Sequence, residues 1–212
     1  MENDNGYFEF NTDVITVLEE NGMVDELFYL RDLAQRKLFL NGEISPYTVY
    51  DVTKNILQFN KEDKGVDPSE RKPILLYLNS EGGDLYACFE LIDAIKMSKT
   101  PVYTINLRYQ YSAGFLIGLA GDKRFAAKNA TYLLHDGYCA FEGSSAKMQD
   151  SVEFQSKIRE RVRQFTIEHS KITPEEYDKK FRFEWYMYAD EAKEKGVVDY
   201  IIGEDCDIDE VI

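Results

Sequence analysis

An α/β domain built on a largely parallel sheet is the fold class this sequence predicts, on three observations. Short apolar runs at residues 74–78, 102–107 and 131–134 read as strands. Helix-like stretches, at residues 85–97 and from 112 onward, alternate with them. Gly-rich or polar turns mark each change of period. Repeated βα units of this kind place helices on the faces of a parallel sheet, and sites in such sheets gather at the carboxyl ends of the strands. With 212 residues and no low-complexity linker, the chain is long enough for one such domain with a sizeable core.

Taken in order, residues 1–23 read as an N-terminal arm, flexible or ordered by a partner, and residues 24–36 as a helix. Ser45 followed by Pro46 supplies an N-cap and a first-turn proline to a helix reaching about residue 59. Residues 61–72 form a charged loop. The strand at 74–78 runs into Asn79-Ser80-Glu81-Gly82-Gly83-Asp84, and a helix over 85–97 leads to the strand at 102–107. Beyond the strand at 131–134, the stretch 146–171 spaces Met148, Val152, Ile158, Val162 and Phe165 as the apolar stripe of a helix. Its density of charge (Lys157, Arg159, Glu160, Arg161, Arg163) suits a helix that is only partly covered, the alternative being a core helix of a monomer. Thr173-Pro174-Glu175-Glu176 reads as a capping box opening a short helix. A strand over 197–202 completes the sheet, and residues 204–212 read as a solvated acidic tail.

Charge and composition narrow the function. Asp and Glu outnumber Lys and Arg by 39 to 25, which argues against nucleic acid or an anionic membrane as partner, because phosphate needs clustered cations. Cys88, Cys139 and Cys206 are widely spaced and odd in number, matching neither a disulfide framework nor a zinc site, so no metal or other cofactor is expected. The opening Met1-Glu2-Asn3-Asp4-Asn5 lacks the apolar centre of a secretory signal, and no apolar run approaches the ~20 residues of a membrane span. A soluble, cytoplasmic protein is the expectation. No Gly-x-x-x-x-Gly-Lys motif is present, so ATP hydrolysis is not expected of this chain.

The residues that carry chemistry are few. Ser112, in Gln110-Tyr111-Ser112-Ala113-Gly114-Phe115, falls between a strand-like run and an apolar helix-like run. A serine there is either a plain N-cap or a nucleophile presented at a strand-to-helix elbow. Gly82-Gly83 is either an ordinary βα turn or a place where backbone N–H groups come close enough to a reacting carbonyl to form an oxyanion hole. His135 ends the strand at 131–134 and supplies a base able to take a hydroxyl proton near neutral pH. The other histidine, His169, lies among Glu168, Ser170 and Lys171 and reads as a surface residue. For an acid to orient the imidazole, Asp136 is badly placed, since adjacent strand residues point to opposite faces. Glu184, set among aromatics in Phe181-Arg182-Phe183-Glu184-Trp185-Tyr186, is the better choice.

Together these motifs resemble the Clp protease proteolytic subunit, the ClpP family of serine peptidases, over about residues 37–203. The order carries the resemblance: Phe39-Leu40-Asn41-Gly42-Glu43-Ile44, a strand into Asn-Ser-x-Gly-Gly, a strand into x-Ser-x-Gly, a strand into Leu-His, a long helix, then an acid before Ala-x-Glu-Ala and Gly-x-Val-Asp. The resemblance implies a ClpP/crotonase-like spiral of repeated ββα units with a projecting handle helix, the peptidase domain spanning 24–203 between the arm and the acidic tail. It implies Ser112 as nucleophile, His135 as general base, Glu184 as third member and the N–H groups of Gly83 and Ala113 as oxyanion hole. A strand over residues 138–143 would border the substrate, an unfolded polypeptide. It implies heptameric rings, possibly paired, fed by an ATP-driven unfoldase of the AAA+ class, whose loop would dock on Leu75, Tyr77, Ile105, Leu107, Phe125 and Ile202; core packing is the alternative for Ile105 and Leu107.

The chain departs from the family pattern at several of these positions. Glu184 stands where Asp is usual, Gln110 and Tyr111 precede the serine where small residues are usual, and Ala113 replaces Met. Asp136-Gly137 follows the histidine in place of Gln-Pro, and Phe183 replaces an Arg. These differences leave room for a catalytically silent subunit of a mixed ring or a phage-encoded protease acting on capsid scaffold. A crotonase-like acyl-CoA enzyme is the third alternative, opposed by the spacing of Ser112 and His135.

Overall fold

A computed structural model describes Thr16 and residues 20–212. Of the arm expected over residues 1–23, all but Thr16 and residues 20–23 lies outside the described residues. Helix α1 (Val24–Ala34) ends two residues earlier than expected. Arg36 takes a left-handed backbone conformation, φ 59°, and turns the chain into β1 (Lys37–Ile44). Ser45 caps α2 (Pro46–Glu62) as its sequence context implies: its hydroxyl accepts from the Thr48 amide, and its own N–H donates to Thr48 Oγ1 at 2.9 Å. The buried face of α2 is Val49, Val52, Ile56 and Phe59, the spacing of one helical stripe.

The sheet is organised around β2 (Ile74–Gly83). One edge pairs with β1 in parallel. The other edge pairs first with β3 (Val102–Asn106), from Ile74↔Val102 to Tyr77↔Ile105, and then with β4 (Tyr109–Tyr111) at Ser80↔Gln110. From β3 the sheet continues to β5 (Lys123–Ala126) and β8 (Tyr200–Ile201). From β4 it continues to β6 (Thr131–Leu134) and, antiparallel, to β7 (Trp185–Tyr188). One strand shared by two branches makes the sheet curl, and helices flank it. Helices α3 (Leu85–Met97) and α4 (Ala113–Leu119) pack into the main core, and every residue of α4 is buried, as an all-apolar helix requires. The α/β class and its curled sheet with flanking helices are as expected.

The long helix α5 (Ser145–Glu168) is covered only toward its C-terminal end. Ile158 and Thr166 are buried, Val162 and Phe165 partly so, while Met148 and Val152 are exposed. Helices α6 (Pro174–Lys180) and α7 (Ala189–Glu194) complete the chain's regular structure before β8. Short as it is, β8 is pinned by Asp199, whose carboxylate accepts from the Arg124 guanidinium at 2.6 and 2.9 Å. No helix among the described residues is long and apolar enough to cross a membrane.

Five local expectations are corrected. The run 102–107 does not lead straight to Ser112: β3 stops at Asn106, whose side chain accepts from Arg108 N–H and donates to Thr131 O, and the chain steps across to β4. No strand forms over residues 138–143, which lack a partner strand among the described residues and stay exposed, with Tyr138 94% accessible. The Thr173 cap is half a capping box: its hydroxyl accepts from Glu176 N–H, but the Glu176 carboxylate pairs with Lys195 at 2.7 Å instead of reaching back. The strand expected over 197–202 shrinks to Tyr200–Ile201 because the amides of Val197 and Val198 are taken by Ala192 O. The segment 204–212 is not wholly solvated, since Val211 is buried.

A part-buried ion pair ties the N-terminal corner together. Arg36 donates twice to Asp63, at 2.5 and 2.6 Å, and Thr100 adds a hydroxyl at 2.7 Å. These donors hold the Asp63 carboxyl at about 2, against an ordinary 3.8. Because the folded value is the lower one, the stabilisation is complete above the ordinary value and is lost as pH falls toward 2. Asp63→Asn leaves a part-buried guanidinium with only Lys72 O to donate to and should lower the unfolding free energy by about 2 kcal/mol. Urea denaturation of both proteins at neutral and at acid pH should also show a shallower acid limb in the variant.

Candidate active site

Strand register brings Ser112, His135 and Glu184 together. Strands β4 and β6 pair at Tyr111↔Leu133, and Ser112 N–H donates to Leu133 O at 2.9 Å, so Ser112 emerges just past β4 beside the end of β6. Strands β6 and β7 pair at Leu134↔Trp185 in antiparallel sense. One step further along that ladder sets His135 opposite Glu184, and His135 Nδ1 lies 2.8 Å from Glu184 Oε1. Asp136 takes no part and pairs instead with Arg159 at 3.2 Å. His169 stacks on Phe165, its Nδ1 2.9 Å from that residue's carbonyl, away from this group.

Ser112 stands at the N-cap position of α4, yet its side chain makes no capping hydrogen bond. Its backbone lies at φ 55°, ψ −119°, a conformation that costs a non-glycine residue of order 1–3 kcal/mol and is found where a side chain must be presented. The plain-cap reading therefore fails, and the elbow reading fits. Gly82 and Gly83 are each required sterically. A Cβ on Gly82 would lie 2.7 Å from the Ser112 Cβ and 2.9 Å from Tyr111 O. One on Gly83 would lie 2.2 Å from Ile44 O. Beneath the elbow, the buried Cys88 thiol donates to Ala113 O at 3.3 Å; burial pushes this thiol well up, so it remains a donor.

Gly83, Ser112, Ala113 and His135 all line one cavity of about 290 Å³, walled by Leu116 and Ile158. With Nδ1 given to Glu184, His135 Nε2 is buried and without a hydrogen-bond partner among the described residues. In the neutral ring whose Nδ1–H donates to the carboxylate, Nε2 is a lone-pair acceptor. A buried acceptor left open costs about 1–3 kcal/mol. The arrangement can take a proton from a group entering the cavity and return it.

Glu184 is the exposed member, and sequence reasoning missed what steadies it. Tyr186 Oη lies 3.4 Å from Glu184 Oε2, its ring stands edge-on to Tyr111 at 5.7 Å, and Tyr111 Oη lies 2.8 Å from Thr131 Oγ1. Burial, and then the Glu184 charge, raise the Tyr186 hydroxyl above its ordinary value. Spacing of i and i+2 in a strand puts Glu184 and Tyr186 on one side, the signal that could have found the pair.

The residues expected to form a partner pocket lie elsewhere. Leu75, Tyr77, Ile105 and Phe125 form a second buried cluster, Ile202 packs partly buried against it, and Leu107 is exposed outside it. Their neighbours Ile74, Leu76 and Leu78 point the other way into the main core.

A family model described as Clp protease matches residues 21–205. The ATP-dependent Clp protease proteolytic subunit 2 of Treponema pallidum (strain Nichols) is 27% identical over 186 residues, covering 87% of this chain and 90% of that protein.

The contact between Gly82 and Ser112 is directly testable. Gly82→Ala should displace the elbow and slow acylation of Ser112 by a serine-directed fluorophosphonate about a hundredfold, the scale of a 1 Å misplacement. Gly42→Ala, also at positive φ but with open space around it, separates clash from backbone strain and should leave labelling within about threefold.

Proposed function

Because the chain belongs to the Clp protease family, we propose that it is a serine endopeptidase, the proteolytic subunit of a Clp-type ATP-dependent protease that cuts unfolded polypeptides into short peptides. Family membership supports a peptidase. The single observation that carries the serine mechanism is the open Nε2 of His135, buried in one cavity with a strained Ser112 while Nδ1 is held by Glu184.

In this reading His135 Nε2 takes the Ser112 proton as Oγ attacks the scissile carbonyl. The N–H groups of Gly83 and Ala113 receive the developing oxyanion; that of Ala113 is the first amide of α4 and has no partner within its helix. The imidazolium, oriented and stabilised by Glu184, then protonates the leaving amine. Water repeats the sequence and releases the acyl group. The extra methylene of Glu relative to Asp is accommodated because Glu184 lies just before β7, directly across the ladder from His135.

The assembly follows from the family and is part of the proposal: a homo-oligomeric ring of seven in the cytoplasm, single or paired, with residues 24–203 as peptidase domain and an AAA+ unfoldase docking at Leu75, Tyr77, Phe125 and Ile202. Exposed Met148, Val152 and Phe154 along α5 suit burial against a second subunit. A second reading, a silent subunit within a mixed ring, is favoured by one observation: no hydrogen bond joins Ser112 to His135 among the described residues. Such bonds are commonly long before substrate arrives.

Labelling with a fluorophosphonate, followed by intact mass, decides between the two. One adduct, lost in Ser112→Ala, is expected; none from a folded, oligomeric sample would establish the silent subunit. Glu184→Gln should reduce peptide hydrolysis by about 10²–10⁴-fold, and an unchanged rate would move the orienting role to another group.

A further inference from the structure

Parallel sheets are ordinarily covered on both faces, because their crossover connections place helices there. One face of the branch β1-β2-β3-β5-β8 packs into the main core. Across the other, in-register pairing aligns Phe39, Tyr77, Ile105, Phe125 and Tyr200 in a single row over five strands. Phe39 stacks on Tyr77 at 4.6 Å and Phe125 on Tyr200 at 5.2 Å. Val211 covers the middle of this row, while Phe39 at its edge is half exposed. Val211 is 2% exposed and buried in one cluster with Leu75, Tyr77, Ile105 and Phe125. The Tyr77 hydroxyl donates to the Val211 carbonyl.

The hold on the row is slight. Val211 is the seated residue, whereas Ile208 and Ile212 on either side are more than half exposed. Residues 204–212 carry Glu204, Asp205, Asp207, Asp209 and Glu210 with no Lys or Arg. Lys128 and Lys193 pair with Glu204 and Asp205, but among the described residues no ion pair joins Asp207, Asp209 or Glu210. The segment is anchored up to Cys206, which packs against the cluster and accepts from Gly203 N–H, and beyond it is kept in place on the row by one side chain and one hydrogen bond.

We propose that residues 208–212, through Val211, are the resident occupant of this row, which any partner presenting an aliphatic side chain beside a free backbone carbonyl must displace. The displaced carbonyl returns to water and the partner's takes its place on Tyr77. A tethered segment competes at an effective concentration of about millimolar, so a partner must bind well enough to outcompete it. The identity of that partner as an unfoldase loop rests on the function proposed above, whereas the resident occupant rests on this geometry.

The test uses Nile red and the acetylated hexapeptide of residues 207–212. Against the full chain, a chain ending at Asp207 and the full-length Val211→Asp variant should each raise Nile red emission about fivefold. Millimolar hexapeptide should suppress that gain, and the same peptide carrying Val211→Asp should not. In the shortened chain, Tyr77→Phe should weaken suppression about fivefold, one hydrogen bond's worth at about 1 kcal/mol. No gain in variants with unchanged circular dichroism, or equal suppression by both peptides, overturns the proposal. Loss of the fold in both variants also overturns it, because Val211 would then be a structural residue and not a cover. None of these readouts involves Ser112, so they stand or fall apart from peptidase chemistry.

Discussion

The sharing of β2 between two branches is the constraint on which the rest of this structure depends. Its first half pairs with β3 and its second half with β4, so the sheet divides beyond Tyr77. The step from β3 to β4, held by Asn106, carries Ser112 off the branch that builds the core and onto the branch that ends in His135 and Glu184. Gly82 and Gly83 lie at the end of the same shared strand. With side chains there, neither the approach of the Ser112 elbow nor the contact with β1 could form.

The two branches then serve different purposes. The β4-β6-β7 branch is short-stranded and closes with an antiparallel pair, which lets one ladder hold His135 and Glu184 at hydrogen-bond distance. Precision of this kind suits a site whose geometry has to be fixed before reaction. Tyr111 and Tyr186 show how a departure from the family pattern is absorbed. A longer, more exposed carboxylate gains an aromatic bracket on its free oxygen, and the bulky residue before the serine forms part of it. The β1-β2-β3-β5-β8 branch is fully parallel. Its outer row of aromatics is a consequence of strand register, and the burial of Val211 shows that the row attracts apolar cover.

Much of this was legible in the sequence because local patterns reflect local causes. Continuous apolar runs identified β2, β3 and β6, since strands buried on both faces need them. Ser45-Pro46 marked the start of α2, because capping is decided within four residues. Ser112, His135 and Glu184 could be singled out as candidates from residue type and from their places at strand ends. Less legible were short elements whose existence depends on a distant partner. Strand β4 exists because Gln110 finds Ser80, β7 because Tyr186 finds Leu133, and residues 138–143 stay irregular because no strand comes to meet them.

By itself, then, the sequence determined the α/β class and the order of its main elements through hydrophobic period and capping, and it singled out candidate groups through the rarity of histidine in this chain. Only the tertiary structure decided that Ser112 is strained and not a cap, that Glu176 turns to Lys195, that Tyr186 braces Glu184, and that Val211 lies over an aromatic row instead of in water. Each of these joins residues through strand register or side-chain packing. Register is set by whichever pairing buries the most apolar surface across the whole sheet, a global quantity that no local window of sequence contains.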